Sequence, residues 1–313
     1  MYPCSNPELV AAVSEAGGIG IVQPISLTYV HGHEFREGLR LIRRLTAKPI
    51  GMNALIEQSS KTYHERMQRW IDVALEEGVR FFVTSLGNPR WVVDRVAPHG
   101  VVYHDVTERK WAEKGRDAGV HGLVAVNDRA GGHAGKLSAE ALLDELGDMG
   151  LPALCAGGIG NERDFVRALA LGYAGAQLGT RFIATPECRA SEAYKQAIVA
   201  AGEQDVVLTE RLTGVPVAVL DTPSVRRLGL KAGPFARFML RGRRSKHWMR
   251  TFYALRSLWA LKRGLLRDSP ERDYWQAGRS VAGIERIESA GEIVKRFDAA
   301  WRAASPRDVP ARP

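Results

Sequence analysis

The segment best equipped for chemistry is Ala130-Gly131-Gly132-His133-Ala134-Gly135. Glycines cost chain entropy on folding and fill no core, so a cluster of them serves close approach of the backbone to something else. They also leave the imidazole free to point at it. Neutral imidazole, with a pKa near ~6.5, can accept a proton in the neutral range. Taken alone, the segment reads equally well as a plain turn with an incidental surface histidine. Two further glycine-bearing segments follow it, Ala156-Gly157-Gly158-Ile159-Gly160 and Gln177-Leu178-Gly179-Thr180. Each ends an apolar run and precedes a helical pattern. Backbone N–H groups at such strand ends and helix starts can hold a phosphate without any lysine. Two ordinary glycine turns closing strand–helix links are the competing reading.

Something must hold these segments side by side. Apolar runs over 19–23, 49–55, 79–85, 101–106, 120–126, 151–156 and 174–178 are expected as strands. Helical patterns fall before and between them, over 7–16, 34–46, 61–77, 91–96, 107–118, 138–149 and 161–171. Strict alternation with short links implies parallel strands covered by helices. The strands are apolar throughout, as expected when both faces are buried. A closed (β/α)₈ barrel needs eight strands, and the chain opens on a helix without a preceding one. Either the sheet is open and doubly wound, or it is a TIM-type barrel with its first strand truncated. The second is favoured, because glycine loops after the last two strands are where such barrels hold a phosphate.

Bulk properties narrow the class. The chain has 313 residues, 45% hydrophobic and 25% charged, enough for one large α/β domain and a smaller one. No signal peptide and no bilayer-spanning run is evident. Cys4, Cys155 and Cys188 are far apart, which argues against a disulfide framework and a zinc site and fits a cytoplasmic protein. The net charge of +9 is local: residues 225–267 hold thirteen Lys or Arg and no Asp or Glu, with aromatics interleaved. The plainest reading of that stretch is a helical lid with a basic solvated face. The second is a site for an anionic ligand such as NAD(P)H or an acyl carrier, and the third is contact with anionic membrane or nucleic acid. No nucleic-acid motif accompanies it.

The order and spacing of PELVAAVSEAGGIG, PIGMN, the TS-G-P turn, AGGHAG, AGGIG, ALALGYAGAQLGTRFIAT and YWQAGRSVAGI resemble the nitronate monooxygenase family, formerly called 2-nitropropane dioxygenases. The resemblance implies a (β/α)₈ barrel over 1–188 that binds FMN. It also implies an inserted, mainly helical domain over 189–272 and a segment, 273–304, returning to the barrel. Residues 305–313 are expected to be a disordered tail. Carried over by position, Met1, Asn53 and Gly131 would contact the flavin ring region. Gly157, Gly158, Gln177, Gly179 and Thr180 would hold its phosphate end, and His133 would be the catalytic residue. His104 and Ser280 are weaker candidates for substrate contact or support, His104 more as a structural residue.

Three departures from the family pattern stand out. Arg129 occupies a position where the family usually has Glu, and Asp105 one where it often has Lys, which reverses a charge near the flavin. The family's first strand has no counterpart here, so a native start upstream of Met1 is expected. The resemblance implies oxidation of alkyl nitronates or nitroalkanes with O2 to a carbonyl and nitrite, the substrate being a small molecule. The alternative is an NAD(P)H-dependent FMN reductase acting on enoyl thioesters or quinones. A flavin- or anion-binding protein without turnover is the reading from a different class.

Overall fold

Seven apolar runs pair edge to edge, in parallel and in chain order, in the computed structural model. It describes residues 1–56, 61–233, 245–266 and 274–304, with backbone alone for 245–255. The strands are β1 (Gly20–Val22), β2 (Ile50–Leu55), β3 (Phe81–Ser85), β4 (Val101–Val106), β5 (Gly122–Val126), β6 (Ala153–Ala156) and β7 (Gly175–Gln177). Helices cover one face: α1 (Pro7–Glu15), α2 (Phe35–Leu45), α3 (Lys61–Glu76), α4 (Arg90–Val96), α5 (Arg109–Asp117), α6 (Ala139–Leu146) and α7 (Glu162–Ala170). The sheet curls into most of a TIM-type barrel, with β1 and β7 as its two edges.

Strand alternation sorts the apolar side chains into two cores. One set, including Val22, Met52, Phe82, Val102, Leu123 and Cys155, packs between sheet and helices. The other set fills the concave interior, with Val83, Val124 and Ala156 buried among Ile21, Phe81, Tyr103, Val126 and Leu154. Register carries the alternation from strand to strand: Val83 lies beside Tyr103, and Asp105 beside Val124. Residues 1–5 lie across the gap between the edges. Ser5 Oγ donates to Ile21 O at 2.7 Å and accepts from Gln23 N at 3.2 Å. At the other edge, the Met1 sulfur lies 3.4 Å from where a Cβ on Gly179 would stand.

After β7 come α8 (Thr180–Ile183) and α9 (Glu192–Ala200), then a hairpin of β8 (Val206–Thr209) and β9 (Val217–Leu220). Next are α10 (Pro223–Leu228), α11 (Ser245–Leu266) and, last, α12 (Ala290–Ala303). The hairpin adds two strands to a stretch expected to be mainly helical. Its strands are only four residues each, and the apolar residues of β9 run without alternation, buried on both faces, so no period-2 signal marks them. Returning residues 274–283 cross back to the barrel, and α12 then packs against α1 and α7. The expected tail, 305–313, lies outside the described residues, as does 234–244 within the basic stretch. Among the described residues no helix is long and apolar enough to cross a membrane.

Candidate functional site

The loops leaving β5, β6 and β7 meet at the C-terminal end of the sheet, and Asn127 fastens the first two. This side chain is fully buried. Its Nδ2 donates to Gly157 O at 3.0 Å, and its Oδ1 accepts from Arg129 N at 2.9 Å. The backbone N–H of Gly135 closes the loop onto Asn127 O at 3.1 Å. No room is left for a side chain opposite. A Cβ on Gly157 would stand 2.2 Å from Asn127 Oδ1, and the residue's φ of +121° is one that L residues rarely adopt. Sequence reading passed over Asn127. The signal was present: a polar residue directly after an apolar run, four before the first glycine of the cluster.

His133 is carried on that loop and open to solvent. Surrounding protein nevertheless desolvates the imidazole enough to lower its pKa from 6.5, which favours the neutral, proton-accepting form. The loop is clamped from above by β9, where Ala218 N donates to Gly132 O at 2.8 Å. Farther along the same edge β9 meets the returning segment, since Leu220 N donates to Trp275 O at 2.8 Å. Trp275 is itself buried, stacked on Tyr194 of α9, and donates through Nε1 to Gly264 O of α11 at 3.0 Å. The returning residues also pack directly on Gly131, where a Cβ would come within 2.9 Å of Gly278 N.

The same segment reaches the loops after β6 and β7. Gly278 N donates to Thr180 Oγ1 at 2.9 Å. Ser280 is buried, and its carbonyl oxygen lies 2.2 Å from where a Cβ on Gly160 would stand. The structure therefore brings Gly131, Gly157, Gly158, Thr180 and Ser280 into one neighbourhood, with Gly179 and Met1 at its edge. Gln177 ends β7, half-buried.

Two sequence candidates lie lower, on the strands. Asn53 sits on β2 in register with inward-facing Val83, and its Nδ2 donates to Val83 O at 3.3 Å. His104 is buried on the outer face of β4. It is hydrogen-bonded through Nδ1 to Thr84 Oγ1 at 2.8 Å, and its Cδ2 lies 3.3 Å from where a Cβ on Gly115 of α5 would stand. Burial lowers its pKa to about 4. That geometry turns His104 toward the helices and away from anything inside the barrel. The inward-facing residue is its neighbour, Asp105. Its Oδ1 is buried without a hydrogen-bond partner among the described residues. Burial raises its pKa to about 7, so near neutrality a large share of it is an uncharged acid.

The model of the nitronate monooxygenase family matches residues 1–298. A 5-hydroxy-7a-methyl-1-oxo-octahydro-1H-indene-4-carboxyl-CoA dehydrogenase of Rhodococcus jostii is 30% identical over 226 residues, which are 72% of this chain and 62% of that protein. The dehydrogenase of the same name from Mycobacterium tuberculosis is 27% identical over 93% of this chain and 88% of its own length. A probable nitronate monooxygenase of Staphylococcus saprophyticus is 28% identical over 73% of this chain and 76% of its own. Among solved structures, FabK from Thermotoga maritima superposes with a TM-score of 0.78 at 26% identity, covering 96% of this chain and 90% of that one. Nitroalkane oxidase from Streptomyces ansochromogenes shares the fold, with a TM-score of 0.74 at 24% identity over 96% and 93%. Dehydrogenase, monooxygenase and oxidase are all names of oxidoreductases. Matched by the family model along nearly its whole length, the chain belongs to the nitronate monooxygenase family.

Proposed function

We propose that the chain is an FMN-dependent oxidoreductase that oxidises alkyl nitronates or nitroalkanes with O2 to a carbonyl compound and nitrite. The observation that carries this reading is His133, held largely neutral on a clamped glycine loop at the open end of a barrel. The residues present fit the cofactor. A flat ring needs side-chain-free walls, and Gly131 and Gly157 are glycines whose Cβ positions are already taken. A polar ring edge needs donors, and Asn53 and the Asp105 carboxyl, whose Oδ1 has no hydrogen-bond partner among the described residues, are such groups. Gly157, Gly158, Gln177, Gly179 and Thr180 would hold the phosphate end, and Met1, Asn53 and Gly131 the ring. FMN, when bound, supplies the electron acceptor and its reaction with oxygen.

His133 takes the proton from the carbon beside the nitro group; with a substrate supplied as the nitronate, it donates a hydrogen bond instead. The two substrates therefore separate its roles. Replacement of His133 by Asn is expected to lower kcat/KM for a neutral nitroalkane by about a hundredfold or more, and for the matching nitronate far less. Flavin content should be unchanged. Oxygen uptake with each substrate measures this, and equal activities of variant and wild type would refute the assignment. Because the lowered pKa keeps the base form populated, nitroalkane turnover should persist below pH ~6.5 and fall only as the imidazole protonates.

A second reading has its own support. The two relatives with carboxyl-CoA dehydrogenase names suggest a thioester substrate, whose α-carbon is also acidic. An NAD(P)H-dependent FMN reductase would bleach its flavin anaerobically with NADH or NADPH. A nitronate oxidase would bleach only with the nitronate.

A further inference from the structure

We propose that the Arg129 guanidinium is the side-chain counter-charge for the flavin's phosphate; this rests on FMN being the cofactor. Arg129 stands beside the loop expected to hold that group. A Cβ on Gly158 would lie 2.7 Å from Arg129 Nε and 2.9 Å from its Cδ, so the stem of the side chain crosses this glycine. Its main chain is fixed on both sides: Arg129 N donates to Asn127 Oδ1, and Arg129 O accepts from Arg279 N at 2.9 Å. The guanidinium pairs with Glu203, one bond being 3.2 Å long. Both side chains are partly open to solvent, at 36% and 43% exposure, so an anion can reach them.

The local charges explain why a guanidinium is needed. A helix start is the usual source of positive potential for a phosphate, but here α7 closes its own. Asp164 Oδ2 accepts from Gly160 N at 3.0 Å and from Asn161 N at 3.3 Å, placing a carboxylate where an anion would otherwise sit. The next helix, α8, is a single turn. Its arginine, Arg181, is buried and turned away, donating to Arg286 O at 2.9 Å with Glu288 at 3.5 Å. Arg129 interacts electrostatically with Asp128 and Asp164 as well as Glu203, and Glu203 with Arg279. Without Arg129, a phosphate dianion would face three carboxylates, of which Glu203 alone has Arg279 as a further partner among the described residues. With it, the planar guanidinium offers paired donors to phosphate oxygens.

The test compares FMN with riboflavin, which has the same ring and no phosphate. Each is titrated into apoprotein and followed by flavin fluorescence. Arg129→Met keeps the stem over Gly158 and removes the charge. It is expected to weaken FMN binding about ten- to a hundredfold while leaving riboflavin within about twofold of wild type. Arg129→Lys should recover part of the preference for FMN. Glu203→Gln frees the guanidinium and should preserve that preference. In wild type, inorganic phosphate should compete with FMN, and in Arg129→Met it should compete less. An Arg129→Met protein that binds both flavins as wild type does, or loses both equally, overturns the proposal, the second result marking a purely structural role. A wild-type protein that binds neither flavin instead removes the cofactor assignment itself.

Discussion

Asp105 is a carboxyl group that the fold discourages from ionising. Its pKa stands at about 7, raised by burial, against an ordinary value of 3.8. Between those values the folded chain binds more protons than the unfolded one, so stability must fall as pH rises from about 4 to about 7 and then level off. Asp105→Asn removes that dependence. The variant should match wild type in urea unfolding near pH 4 and exceed it by on the order of 1–3 kcal/mol at pH 8. A variant that gains nothing at pH 8 would show that the carboxylate is stabilised in a way the geometry does not reveal. The sequence displayed Asp105 and His104 as neighbours but could not say which faces inward. Apolar residues occupy both sides of β4, so the sequence pattern carries no directional signal. That His133 lies outside the core was legible, because a histidine among glycines has nothing to pack against.

Among elements, β9 connects most of the site's parts: it pairs with β8, holds the His133 loop and binds the returning segment. Ala218→Pro deletes the N–H that reaches Gly132 O at 2.8 Å. It is expected to lower kcat/KM for a nitroalkane at least about tenfold, since misplacing a reacting group by an ångström has effects of this order or larger. Bound flavin should largely be retained, because the loops after β6 and β7, proposed to hold its phosphate, are held elsewhere. Measuring both quantities on one preparation separates this outcome from general unfolding. The seven sheet strands and their covering helices were readable from alternation and glycine punctuation. The hairpin was not, because β9 owes its place to contacts with residues 132 and 275–276, which are far away in sequence. Asn127 was missed for a related reason: its worth lies in joining two loops, and only the folded chain shows them adjacent.

For the whole molecule, a buried charge cluster ties the end of the barrel to the C-terminal helix. Arg181 is 1% exposed and faces Glu288, whose carboxylate also accepts from Arg286 and Arg296 at 2.8 Å. Burial alone would raise the Glu288 pKa, but hydrogen bonds from Arg296 and Arg286 outweigh it and hold the group below the usual carboxylate range. The carboxylate therefore stabilises the fold at neutral pH, and that contribution is lost as pH falls through its lowered pKa. Glu288→Ala leaves a buried guanidinium without its counter-charge and should cost about 3–5 kcal/mol in urea unfolding at pH 7. A loss no larger than that of an exposed pair, under about 1 kcal/mol, would mean that water reaches Arg181 after all.

The path of residues 274–283 sets an order on events during synthesis. The walls contributed by β5, β6 and β7 leave the ribosome early, yet Thr180 and Gly131 meet their partner Gly278 only about 100 and about 150 residues later. Until then the nascent barrel has an unfinished rim, without the chain that closes over all three loops. On the proposed reading, loading of the flavin would therefore belong to the finished polypeptide, and a messenger cut short before codon 274 would yield a protein unable to close this pocket.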